Sequence, residues 1–182
     1  MKILLFGVSN IGKSTLGELL AKKLEYDFYD LDEEVKREFQ TTLEEFVHTE
    51  NLRWRDQKRG RIIKKILSTE KDIVFAITPI SYTDNFRKRI IADDVLPIVL
   101  VDTPENIFDR LVFSDENDNI YTDDEYKNQH KEYYLRDIQD DIEWYGNIFS
   151  KIGIKNEFVI SKDSVEQNVD RLILEYHLDK LN

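Results

Sequence analysis

The sequence predicts an α/β fold, a five-stranded parallel sheet with helices on both faces. Three observations carry this. Short, apolar, β-prone runs alternate along the chain with amphipathic stretches at helical spacing. The first run, Lys2-Ile3-Leu4-Leu5-Phe6, passes into Gly7-Val8-Ser9-Asn10-Ile11-Gly12-Lys13-Ser14-Thr15, which fits G-x-x-x-x-G-K-[ST]. A helix follows that loop at once, with Leu16, Leu19, Leu20 and Leu24 along one face.

Each further element has its own signal. Residues 26–30 form a second short strand and 31–39 a helix. Thr42 and Glu45 have capping-box spacing at the head of a short helix. Residues 52–67 form a longer helix, and 72–77 a third, continuously apolar strand. A helix over 84–91 leads to a fourth strand, 96–101, with Pro97 near its start where proline is tolerated. Pro104 opens a helix running to about 112. Residues 114–124 are polar, acidic and aperiodic, hence a loop. An aromatic-rich helix runs from 125 to about 152, a fifth strand covers 157–160, and a helix over 165–178 closes the chain.

Composition narrows the function. The 182 residues make one domain, 1–182. There is no cysteine, and His48, His130 and His177 are widely separated, which argues against zinc. A net charge of -11 argues against nucleic-acid binding. No apolar run approaches the roughly 20 residues of a membrane span. The first strand begins at once, leaving no room for a signal peptide, so a cytoplasmic location is expected.

The Gly-rich loop points to phosphate. In such a loop backbone N–H groups cradle the β-phosphate of a nucleotide, Lys13 reaches the β- and γ-phosphates, and the Ser14 hydroxyl ligates Mg²⁺. The helix N-terminus adds its own positive end. ATP and Mg²⁺ are the implied cofactors, held by Gly7, Ser9, Asn10, Ile11, Gly12, Lys13, Ser14 and Thr15. Asp30 and Asp32 lie two apart at a strand end. One can hold a magnesium-bound water while the other orients an attacking hydroxyl; the alternative is an acidic turn capping the next helix. Arg53 heads a basic run, with Arg55, Lys58, Arg59, Arg61, Lys64 and Lys65 behind it. Arg53 is the candidate for an acceptor carboxylate or phosphate, and the rest read as a solvated or acid-paired face. The acidic stretch to Asp124 is open to three readings: a lid, a solvated loop or a protein-contact surface. Tyr133, Tyr134, Trp144, Tyr145 and Phe149 suit core packing or contact with a protein partner or a second copy.

Over residues 1 to about 112, and more loosely in the last strand and helix, the chain resembles the shikimate kinases, members of the P-loop kinase fold. Phe28-Tyr29-Asp30-Leu31-Asp32 is similar to the family's strand ending in D-x-D. Thr42-Leu43-Glu44-Glu45-Phe46 is similar to its short helix, Leu52-Arg53-Trp54-Arg55-Asp56 to its F-R-x-x-E, and Val101-Asp102-Thr103-Pro104 through Arg110 to the segment beside the adenine. Gluconate kinases share Gly-Val-Ser ahead of Gly-Lys-Ser-Thr, but D-x-D fits the shikimate group better. The resemblance implies Asp30 near Mg²⁺, Asp32 facing the acceptor hydroxyl, Arg53 on an acceptor anion and Arg110 on the adenine. It also implies acceptor-binding helices over about 31–68 and a lid over about 113–124. The chain departs from the family where a Gly-Gly-Gly turn is replaced by Thr78-Pro79-Ile80. Proline has no N–H to donate, and isoleucine is expected to crowd the site. The lid segment is acidic where the family has arginines. A second gripping arginine after the lid has no clear match; His130, Lys131 or Arg136 can stand in, depending on register.

The expected function is transfer of the γ-phosphoryl of Mg-ATP to a hydroxyl of a small, anionic metabolite. Lys13 and Asp32 are the catalytic pair, Asp32 and Arg53 the acceptor contacts, Ser14 and Asp30 the metal side. The altered turn counts against shikimate itself. Two alternatives stand beside it: a non-catalytic nucleotide-binding module acting through a partner, and a nucleoside or nucleotide kinase.

Overall fold

The computed structural model describes residues 1–113 and 124–180. The expected loop over 114–124, and with it the lid, lies outside the described residues except for its ends. The strands are β1 (Lys2–Phe6), β2 (Asp27–Asp30), β3 (Ile73–Ala76), β4 (Val95–Val101) and β5 (Asn156–Val159). The helices are α1 (Lys13–Leu24), α2 (Leu31–Phe39), α3 (Leu43–His48), α4 (Leu52–Leu67), α5 (Arg87–Ile90), α6 (Pro104–Asp109), α7 (Glu125–Gln129), α8 (Lys131–Ile152) and α9 (Val165–Glu175). A 3₁₀ turn, Leu178–Lys180, follows α9.

All strand pairs are parallel, in the order β2-β3-β1-β4-β5. The period of two along β1 divides the core into two layers. Leu4 and Phe6 pack with Leu31, Val35, Ile63 and Phe86 from α2, α4 and the start of α5. Ile3 and Leu5 pack with Leu16, Leu20, Phe108 and Val169 from α1, α6 and α9. Covered on both sides, β1 has no polar face, which is why its run is continuously apolar. The chain builds to one side of β1 and then crosses to the other. The carboxyl end of β1 therefore faces the crevice where such folds bind ligands.

Several boundaries differ from the sequence expectation, strand limits by a residue, and the closing helix, expected to 178, ends at Glu175. The helix expected over 84–91 is only Arg87–Ile90, because a turn on the Thr83 carbonyl occupies its start. The helix expected over 104–112 ends at Asp109, where Arg110 and Leu111 close it with i−3 bonds. The long aromatic helix breaks at His130, whose backbone N–H and ring Nδ1 both meet the Tyr126 carbonyl. No helix among the described residues is long and apolar enough to cross a membrane.

Gly60 shows how closely α4 is set against the segment before α5. A Cβ there would lie 2.4 Å from Asn85 Oδ1 and 2.4 Å from the buried Phe86 ring. Alanine adds about 1 kcal/mol of helix propensity, but pushing Phe86 out of register costs more, roughly 1–3 kcal/mol. Gly60→Ala is expected to lower the denaturant midpoint; an unchanged or higher midpoint would show that the contact yields freely.

Candidate active site

The loop between β1 and α1 needs its glycines. Gly7 has φ 141 and Gly12, the α1 N-cap, has φ 101. Both lie where a side chain is strained. A Cβ on Gly7 would also sit 3.0 Å from the Leu100 carbonyl. Lys13 folds back over the loop, donating to the carbonyls of Gly7 (3.0 Å) and Val8 (2.7 Å). Burial pulls its ammonium down to about 8, although Asp32 and Asp30 pull the other way.

Asp30 holds two elements together. One carboxylate oxygen caps α2, accepting from Asp32 N (2.9 Å) and Glu33 N (3.4 Å); the other accepts from Ser14 Oγ at 2.5 Å. Asp30 thus fills the capping alternative, while its second oxygen turns toward Ser14. Ser14 and Asp30 present hard oxygen donors at the loop mouth, the donor type magnesium takes alongside phosphate oxygens. The residues present fit that ion.

Ser9, Asn10, Gly12, Lys13, Ser14, Thr15 and Arg110 line one cavity of about 410 Å³, together with Asp30 and Asp32. Gly7 and Ile11 do not: Gly7 contributes its carbonyl to Lys13, and Ile11 is buried in the core. Asp32 lines the same cavity as the loop. Burial pushes its carboxyl above the ordinary aspartate value and the Asp30 charge adds to this; Arg59, the Thr78 hydroxyl and Lys13 oppose them.

Arg110 reaches the cavity from the end of α6. Its Nη2 donates to buried Asp102 at 2.7 Å and its Nε to the Asn10 carbonyl at 3.3 Å. Asp102 also accepts from Thr103 N and Asn106 Nδ2, so the acid that aims Arg110 is itself fixed. An adjoining cavity of about 200 Å³ runs from Arg110 and Thr15 to Ser161 and Asn168. There the buried Asn168 amide ties down the turn after β5, accepting from Ser161 N and donating to the carbonyls of Ser161, Asp163 and Ser164.

The basic run separates by helix face. Arg53 is outside the cavity: its side chain is 62% exposed, 3.5 Å from Asp84 and over the Tyr82 ring. Arg55 donates to the carbonyls of Val47, Thr49 and Glu50 and fixes the α3–α4 connection. Arg59 points inward, its side chain 9% exposed, and Nη1 donates to Asp56 at 3.1 Å. The sequence names Asp56 only as the last residue of the F-R-x-x-E likeness and Arg59 only within the solvated or acid-paired run; the pair forms, but buried, on the helical face of Ile63 and Leu67.

The turn after β3 also departs from expectation. Thr78 and Pro79 line the cavity, but Ile80 turns into the core at 3% exposure and crowds nothing. Asp56 Oδ2 accepts from Ser81 N and Tyr82 N, both at 3.0 Å, and sets the turn. His130, Lys131 and Arg136 lie along an open groove at the α7–α8 junction, away from this cavity. On α8, Phe149 and Tyr145 pack inward, while Tyr133 and Trp144 stay exposed.

The family model described as shikimate kinase matches residues 9–161. The chain belongs to the shikimate kinase family. The match carries the likeness past residue 112, through α8 and β5. The shikimate kinase of Bacillus licheniformis is 36% identical over 73 residues, 40% of this chain and 35% of that protein. The matched stretch thus spans about a third of that relative's length. The crystal structure of shikimate kinase from Bacteroides thetaiotaomicron superposes with a TM-score of 0.75 at 18% identity, covering 97% of this chain and 98% of the other. That of the Acinetobacter baumannii enzyme in complex with shikimate gives 0.72 at 19% identity, covering 100% and 95%. These two likenesses establish the P-loop shikimate kinase fold.

Proposed function

We propose that this family member is an ATP-dependent kinase that moves the γ-phosphoryl of Mg-ATP to a hydroxyl of a small metabolite. The observation that carries the reading is that Lys13 and Asp32 face one cavity, with Ser14 and Asp30 joined beside them. Phosphoryl transfer asks a protein for alignment and for positive charge around the moving group. Lys13 supplies charge to the β- and γ-oxygens, and the loop amides hold the β-phosphate. Ser14 and Asp30 would hold magnesium, which when bound neutralises charge on the same oxygens. Arg110, aimed by Asp102, flanks the adjoining cavity, which suits the adenine. Asp32 accepts a hydrogen bond from the acceptor hydroxyl and takes its proton as the new P–O bond forms.

The test is ADP release from Mg-ATP, with shikimate and with a protein-free metabolite pool, using Lys13→Ala as the blank. Acceptor-dependent ADP that the blank does not give supports the kinase reading, and mass spectrometry of the new phosphate ester names the acceptor. ATP binding without ADP release from any pool overturns it in favour of a nucleotide-binding module.

A further inference from the structure

The turn after β3 carries a polar side chain, Thr78, where the shikimate kinases begin their Gly-Gly-Gly turn. Thr78 lines the cavity together with Asp32, Ala76 and Pro79. β2 and β3 are neighbours in the sheet, and Asp30 pairs with Ala76 at their carboxyl ends. Asp32 and Thr78 each follow that pair by two residues, which brings both to the same end of the sheet. We propose that Thr78 is a positioning residue for the transfer: its hydroxyl holds one oxygen of Asp32 and leaves the other for the acceptor hydroxyl. The inference rests on the kinase reading.

Asp32 needs such a partner. Its backbone is fixed, because its N–H donates to the Asp30 carboxylate in the first turn of α2. That leaves its carboxyl free to swing, since the second torsion of an aspartate side chain is broad and soft. Asp30, Arg59 and Lys13 act on this carboxyl through charge, which favours one protonation state but sets no direction. Among the described residues the Thr78 hydroxyl is the side-chain donor that bonds to it. A hydroxyl has one proton to donate, so it engages one carboxylate oxygen and orients the other. In the transfer the acceptor oxygen bonds to the γ-phosphorus, the bond to the β,γ-bridging oxygen breaks, and that oxygen leaves with ADP. The acceptor proton goes to the free oxygen of Asp32.

Thr78 is itself held. Just before it, Ile77 N donates to the Leu5 carbonyl at 2.9 Å and ties the chain to β1. Just after it comes Pro79, and a residue before proline is confined to extended backbone. Beyond the proline, Ile80 is buried and the amides of Ser81 and Tyr82 are held by Asp56. A β-branched side chain on such a backbone has little freedom at its first torsion. The proline that removes an N–H from the turn thus also fixes the residue ahead of it. Glycine at 78 would offer neither a donor nor a direction.

The test uses the full chain with Mg-ATP and shikimate, or the pool compound found as acceptor. Thr78→Val keeps the shape and drops the hydroxyl; kcat should fall about tenfold while the KM for ATP changes by less than about twofold. Thr78→Ser keeps a donor and should hold kcat to within about threefold of the parent. In an Asp32→Asn background, Thr78→Val should cost less than about twofold more, because the carboxylate it aims is gone. Equal loss in Thr78→Val and Thr78→Ser, a loss that multiplies with that of Asp32→Asn, a loss borne by the KM for ATP, or no loss overturns the assignment. A readout without turnover separates it from the kinase reading. In the free protein the Asp32 carboxyl carbon signal, assigned by its absence in Asp32→Asn, should shift in Thr78→Val and return in Thr78→Ser. If it does so while no acceptor yields ADP, the kinase reading and any role in transfer are overturned and only the bond stands. If the signal ignores both substitutions, the proposal fails whatever the turnover.

Discussion

Lys13→Ala is expected to cut acceptor-dependent ADP formation by about a hundredfold or more, the scale seen when a charge stabiliser of a transition state is removed. The fold should survive. Among the described residues the Lys13 ammonium bonds to the carbonyls of Gly7 and Val8, both within its own loop. Its burial is a cost in the ligand-free chain. The folded-state value of about 8 lies below the ordinary lysine value of 10.5, so the folded protein holds that proton less tightly than the unfolded chain does. Below pH 8 the ammonium is carried at a cost of about 3 kcal/mol. The cost lifts as pH rises from about 8 to 10.5, so the Lys13 contribution to stability improves across that window. Lys13→Met, which keeps the stem and drops the charge, should melt no lower than the parent at pH 7. A sharply lower melting temperature would show that the lysine is a structural strut.

The same residue gives nucleotide binding a pH signature. Phosphate oxygens favour the charged lysine, so binding drives protonation. Near pH 8, where Lys13 is half neutral in the free protein, ATP binding should take up about half a proton. Calorimetry in buffers of different ionisation enthalpy reads this directly. The uptake should vanish in Lys13→Met. Uptake that persists there assigns the proton to another group.

Much of this was legible in the chain because local rules and tertiary packing agree. The capping box read from Thr42 and Glu45 is present as two reciprocal bonds of 3.0 and 3.1 Å. The limits of α4, 52–67, are where its apolar spacing puts them. The loop glycines take the backbone angles their motif requires. The losses share a cause: side-chain direction depends on partners distant in sequence. A run of seven cations in an acidic protein reads as a solvated or acid-paired face, and Arg59 is acid-paired but buried. Asp56 sits three residues before Arg59, but only the amides of Ser81 and Tyr82, brought in by β3, explain why the pair faces inward. Arg53 faces out because Asp84 and Tyr82 wait there. Ile80 escapes the cavity for the same reason: the turn is set by Asp56, not by its own residues.

Asp32→Asn should separate chemistry from nucleotide binding. The side chain lines the cavity without bonding to the loop among the described residues, and the N-cap bond to Asp30 comes from the Asp32 backbone, which asparagine keeps. ATP affinity should therefore change by no more than about threefold. Transfer should fall by about a hundredfold or more, the usual scale for a positioned base. The pH profile gives an independent reading. A protonated Asp32 cannot take the acceptor's proton, so turnover falls as pH drops through its pKa. Burial and Asp30 hold that pKa above the ordinary aspartate value, so the acid limb should lie higher than a free carboxylate would place it. Asp30 raises it and Arg59 lowers it, so Asp30→Asn should move the limb down and Arg59→Gln should move it up. Asparagine has no carboxyl to protonate, and the residual activity of Asp32→Asn should lack the limb. A limb that survives the substitution, or a large loss of ATP affinity with turnover intact, would mean that Asp32 serves the nucleotide and that the acceptor is activated elsewhere.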